Sequence, residues 1–93
     1  MSGEDLREDE MTVTNSLGMH ARPASMLVRA VLPFESDVHI HYNGQTVNAK
    51  SIMGLLTLAA AQGSRVRVVC KGPDADEAMA TVRELFESGF GED

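Results

Sequence analysis

The sequence predicts a two-layer α+β domain, in which a mostly antiparallel four-stranded sheet has three helices on one face. Three observations lead there. Short segments alternate apolar and polar residues, as strands with one buried face do. Other segments space their apolar residues three and four apart, the period of an amphipathic helix. Asn43-Gly44 stands between two β-prone runs, the strongest local signal for a hairpin. The resulting order is β-α-β-β-α-β-α.

Residues 1–9 are acidic and lack apolar alternation, which predicts a disordered extension. Met11-Thr-Val-Thr-Asn15 alternates and reads as the first strand, and Leu17-Gly18 turns the chain. A helix then begins near His20 or Ala21. Pro23 is tolerated in its first turn, where N–H groups have no intrahelical acceptor. Ala24, Leu27, Val28 and Val31 share a face, and Pro33 stops the helix at Leu32. The hairpin pairs 37–42 with 45–48.

Ser51 is placed to cap a second, shorter helix carrying Ile52, Met53, Leu55, Leu56 and Leu58. Gly54 costs it about 1 kcal/mol relative to alanine, so it must lean on its neighbours. Gly63 closes that segment, and residues 65–71 form the fourth strand, with Val66, Val68 and Cys70 on one face. Asp74 and Glu77 have capping-box spacing ahead of a last helix with Ala75, Ala78, Met79, Val82, Leu85 and Phe86 as its buried stripe. Ser88-Gly89 ends it, and residues 90–93 form a short solvated tail.

The chain has 93 residues, enough for one core and too few for two. Its net charge of −6 is concentrated at the ends. Glu4, Asp5, Glu8, Asp9 and Glu10 face only Arg7 in the head, Glu92 and Asp93 close the tail, and the middle is balanced. With no basic stripe and few aromatics, nucleic-acid binding is disfavoured. No apolar run approaches the ~18 residues of a membrane span, and the acidic N-terminus does not resemble a secretory signal. The single cysteine, Cys70, forbids an internal disulfide and reads as a buried thiol in a reducing compartment. A cytoplasmic protein is the expectation.

The segment Asn15-Ser-Leu-Gly-Met-His20-Ala-Arg22-Pro23-Ala-Ser25 carries the chemistry. It sets an imidazole at a helix N-terminus, beside the free backbone N–H groups of Ala21 and Arg22 and the Arg22 guanidinium. Such a place suits a dianionic group, and a histidine there suits phosphorylation. Taken alone, His-x-Arg at a helix start far more often marks a plain cap beside a solvated arginine. His39 and His41, two apart on one strand face, lack a third ligand at metal spacing and read as solvated surface. Neither a nucleophile-elbow pattern nor a CxxC pair accompanies the serines or Cys70. No metal or cofactor is implied.

The stretch from Gly18 to Ala24, Gly-Met-His-Ala-Arg-Pro-Ala, resembles the G-[LIM]-H-A-R-P-A signature of HPr, the histidine-containing phosphocarrier family of the bacterial phosphotransferase system. Val47-Asn-Ala-Lys50-Ser51-Ile-Met-Gly54-Leu-Leu is similar to the regulatory serine region of the same family. The likeness runs from about residue 11 to residue 88. It implies a phosphocarrier domain over 10–89, folded as an open-faced β-sandwich with strand order 1-4-2-3. It implies that enzyme I passes a phosphoryl group to Nδ1 of His20, with Arg22 stabilising its charge, and that enzyme IIA domains accept it. The protein is then a covalent carrier and not an enzyme, acting as a monomer. Ser51 matches the serine modified by a dedicated HPr kinase/phosphorylase. Met19, Pro23, Ile52, Met53 and Leu56 form the docking surface for partners. Two other roles fit the resemblance: a nitrogen-type carrier signalling to a regulatory enzyme IIA, or a binding module acting through Ser51 alone. Members confined to regulation lack the histidine, which argues against the last.

Overall fold

A computed structural model describes residues 5–92. The elements are β1 (Asp5–Thr12), α1 (Ala21–Val31), β2 (Asp37–Tyr42), β3 (Gln45–Asn48), α2 (Ile52–Thr57), β4 (Arg65–Gly72), α3 (Ala75–Glu87) and a 3₁₀ turn at Gly89–Gly91. The strands form one antiparallel sheet in the order β1-β4-β2-β3, as the resemblance implied.

Alternation decides which sheet face is covered. Val38 and Ile40 of β2 and Val66, Val68 and Cys70 of β4 are buried, while Arg65, Arg67 and Lys71 are exposed on the other face. Leu27 and Val31 of α1, Leu55 of α2 and Val82 and Phe86 of α3 cover the inner face. Fully burying one such aliphatic side chain contributes about 1.5–3 kcal/mol. Burial also raises the Cys70 thiol to about 11, so it stays protonated and unreactive. Asn43 and Gly44 take positive φ angles of 52° and 79° at the hairpin turn, the geometry for which the pair is favoured. His41, on the outer face, is bonded through Nδ1 to the Thr46 hydroxyl across the hairpin at 2.6 Å.

The head departs from expectation. Residues 5–9 are not a disordered extension: β1 starts at Asp5, and Asp5 to Thr12 pair with Gly72 to Arg65. Residues 1–4 lie outside the described residues. Period-2 order continues through the head, with charges where apolar residues were sought. Arg7 and Asp9 share the inner face with Met11 and reach Asp76 and Arg83 of α3, while Glu8 and Glu10 reach Arg67 and Arg65 outside. Each exposed pair contributes little, but together they bridge the strand on both sides.

Asp74 also departs from its predicted role, because its side chain does not cap α3. Its carboxylate instead accepts the backbone N–H groups of Glu35 and Ser36, both at 2.9 Å, and the Ser36 hydroxyl. The connection after α1 is thereby tied to the start of α3. The Ser36 hydroxyl foremost, then the Glu35 N–H, hold this carboxyl below the usual aspartate value.

The segment between β1 and α1 is held by close backbone packing. Val13 exchanges hydrogen bonds with the 63–64 turn, its N–H reaching Ser64 O at 2.9 Å and its carbonyl accepting Gly63 N–H at 2.8 Å. Gly18 has φ +69°, and a Cβ there would lie 2.5 Å from the Ala60 carbonyl oxygen and 2.9 Å from Ala61 Cα. Met19 N–H donates to the same Ala60 carbonyl at 2.8 Å. Glycine is thus required twice, for its backbone angle and for the approach.

Two outcomes follow from these contacts. Gly18→Ala is expected to destabilise the protein by about 2–4 kcal/mol, summing a left-handed angle and a backbone clash. An unchanged urea midpoint would contradict the close approach. Because the Asp74 carboxyl is lowered, its contribution is complete above the ordinary aspartate value of 3.8 and is lost as pH falls through the folded value. The melting-temperature gap between wild type and Asp74→Asn should therefore be constant above about pH 5 and shrink in acid. A gap that widens in acid would refute this role.

Candidate functional site

His20 is the N-cap of α1, with extended backbone angles of −95° and −169°. Its carbonyl accepts Ala24 N–H at 3.0 Å and so starts the helix, but its side chain makes no capping bond. Ala21 and Arg22 are the first two helical residues, and their N–H groups have no intrahelical acceptor. Pro23 has no N–H to satisfy, and its ring is buried. The imidazole therefore stands at the positive end of α1 with both ring nitrogens available to other partners.

One partner comes from the far end of the chain. The tail predicted to be solvated folds back over the domain, because Phe90 is fully buried and meets Phe86 edge-on at 5.0 Å between ring centres. This anchor brings Glu92 to the site. Nε2 of His20 lies 2.9 and 3.0 Å from the two Glu92 carboxylate oxygens, and Nδ2 of buried Asn15 donates to Oε1 at 2.9 Å. Asn15 gives its other N–H to the Gly18 carbonyl at 2.8 Å, which binds the turn before His20 to the same cluster. Arg22 Nη1 is 3.8 Å from Glu92 Oε2. Asp93 lies outside the described residues.

The His20 hydrogen bond foremost, then Asn15 and the charge of Arg22, hold the Glu92 carboxyl below its usual range against the opposing effect of desolvation. An ionised carboxylate only accepts, so Nε2 is the donor, and in the neutral ring Nδ1 then carries the lone pair. Nδ1 makes no hydrogen bond among the described residues. The His20 side chain is 34% exposed and Arg22 is 65% exposed, so an incoming group can reach the ring and the guanidinium together.

Ser51 is the N-cap of α2, its hydroxyl accepting Gly54 N–H at 3.1 Å, as its position in the sequence predicted. Of the residues assigned to docking, Ile52, Met53 and Leu56 are exposed, Met53 by 73%. Met19 and Pro23 are not exposed. Met19 turns inward where its N–H joins Ala60, and Pro23 packs beneath the first turn of α1, so both belong to the core. Leu17, 72% exposed on the turn before His20, is an apolar surface residue that periodicity does not flag. Glu92 and Asn15 were also missed. The only available signal for Glu92 was a lone aromatic, Phe90, set between glycines in a polar tail.

A family model described as the PTS HPr component phosphorylation site matches residues 7–88. The chain is 49% identical over 86 residues to a phosphocarrier protein HPr of Xylella fastidiosa strain Temecula1, covering 92% of this chain and 97% of that protein. Among solved structures it superposes on HPr-C-His from Thermoanaerobacter tengcongensis with a TM-score of 0.89 at 38% identity, covering 94% and 98% of the two chains. A crystallised HPr dimer from the same organism matches with a TM-score of 0.75 at 40% identity, covering 86% and 92%. With its signature histidine on an HPr fold, and matched over most of its length, the chain belongs to the HPr family of phosphotransferase-system phosphocarriers.

Proposed function

We propose that this chain accepts a phosphoryl group on Nδ1 of His20 from phosphorylated enzyme I and passes it to enzyme IIA domains of the sugar phosphotransferase system. The observation that carries the reading is the setting of the His20 ring on the N-cap of α1: Nε2 is engaged by Glu92, and Nδ1 has no hydrogen-bond partner among the described residues. Attack by the Nδ1 lone pair forms an N–P bond as the bond to the donor breaks, and the donor keeps that electron pair. The backbone N–H groups of Ala21 and Arg22 meet the phosphoryl oxygens, while the Arg22 guanidinium offsets their charge. The chain's share of the chemistry is positioning and charge stabilisation, with no cofactor and no substrate of its own to turn over. It works in the cytoplasm as a monomer that meets its partners transiently.

Partners dock on the exposed apolar side chains Ile52, Met53 and Leu56 of α2, which packs beside α1. Ser51, at the edge of this patch, is the site of regulatory phosphorylation by an HPr kinase/phosphorylase. A phosphate there lies at a helix N-terminus, which spares the fold, and its charge repels an acidic partner.

Incubation with phosphoenolpyruvate and purified enzyme I is expected to add a single acid-labile phosphoryl group, seen by intact mass. His20→Ala should gain none. Absence of the group from wild type, or its persistence in His20→Ala, would reject the reading. Arg22→Ala should slow transfer about tenfold, the equivalent of one charge-assisted hydrogen bond, without lowering the melting temperature. Ser51→Asp should keep the wild-type melting temperature within a few degrees, because aspartate also caps helices, while slowing acceptance from enzyme I. Unaltered acceptance would count against regulation at this serine.

A further inference from the structure

We infer that Glu92 is a positioning residue for phosphoryl transfer, holding His20 as the Nε2–H tautomer and facing the positive charge that forms on the ring when Nδ1 takes phosphorus. The inference rests on the carrier reading above and adds to the machinery a residue that lies outside the signature, beyond the last helix.

Several features set this contact apart from a chance meeting at the surface. Glu92 is only 11% exposed although it lies beyond the last helix. Its carboxylate is addressed from three directions, by the His20 ring, by the buried Asn15 amide and by Arg22. Ordering a chain end costs about 1–2 kcal/mol per residue, and burial of Phe90 against Phe86 offsets that cost. Phe90 also adopts a left-handed backbone, φ 56° and ψ 29°, an uncommon state for an aromatic residue, and this bends the chain toward the site.

The chemistry gives the contact a use. When neutral imidazole attacks through Nδ1, Nε2 keeps its proton and the ring becomes an N-phosphoryl imidazolium. No proton has to move, and the new positive charge lies against an ionised carboxylate, much as a buried carboxylate orients and stabilises the histidine of a hydrolase triad. The hydrogen bond to Nε2 also excludes the other tautomer, in which Nδ1 would carry a proton and have no lone pair for phosphorus. Arg22, shared with Glu92 at 3.8 Å before transfer, is free to turn to the phosphoryl oxygens afterwards.

The test uses the full chain labelled with ¹⁵N. Long-range ¹H–¹⁵N spectra at neutral pH should show His20 as a single Nε2–H tautomer in wild type. In Glu92→Ala the Nδ1–H form should appear, and acceptance from phosphorylated enzyme I should slow by about three- to tenfold, the range for one partly exposed charge and its hydrogen bond. Glu92→Gln retains an acceptor oxygen but no charge, so it should keep the tautomer and still transfer slowly. Wild-type tautomer and rate in Glu92→Ala, with wild type itself phosphorylated, would overturn the inference and leave the carrier reading intact. No phosphorylation of wild type by a competent enzyme I would overturn both.

Discussion

The backbone of Gly18 and Met19 lies directly against Ala60 and Ala61, and the position of His20 follows from that approach. Strand β1 runs along the sheet edge, whereas α1 must begin above the covered face. Only four residues after Asn15 are available to lift the chain from one layer to the other before α1 opens with His20 as its N-cap. A side chain at residue 18 would push this turn away from the end of α2 and carry the imidazole with it. The same contact joins the histidine to the α2 region, so His20, Ser51 and the apolar side chains of α2 belong to one packed unit. Neighbouring placement of His20, Ser51 and an exposed apolar patch thus comes from a single backbone constraint.

Charge is organised around that unit by pairing. The acidic head is drawn into the sheet by Arg65, Arg67 and Arg83, and Arg7 returns the contact to Asp76 of α3. These pairs leave Arg22 as a cation that the structure keeps exposed beside the positive end of α1. Its one anionic contact among the described residues, with Glu92, is long at 3.8 Å. A dianion arriving at His20 therefore finds helix N–H groups and an exposed guanidinium, with the nearby carboxylate turned toward the opposite side of the ring.

Much of this was legible in the sequence, for physical reasons that can be named. Alternation in 37–42 and 65–71, the Asn43-Gly44 turn and the helical spacing of Ala24, Leu27, Val28 and Val31 are local signals, and the structure follows them. Ser51 caps α2 because N-capping is itself local. The misreadings share a cause, since each depends on a partner far away in the chain. Arg7 and Asp9 occupy inward positions of a strand, which only the arginine and aspartate of a distant helix make tolerable. Asp74 has the spacing of a capping residue but is taken by Ser36 and Glu35. Met19 and Pro23 sit within a functional motif, yet the fold uses them as core. Glu92 shows the limit most clearly, because no local pattern announces an acid that reaches a histidine 72 positions earlier.

If Glu92 engages Nε2 of His20, phosphorus is received by Nδ1. The phosphorylated protein, labelled with ¹⁵N at histidine, tests this directly through the ³¹P–¹⁵N coupling, which identifies the nitrogen that bears the phosphoryl group. Coupling to Nδ1 of His20 is expected, with Nε2 still protonated. Coupling to Nε2, or phosphorus on any other residue, would contradict it.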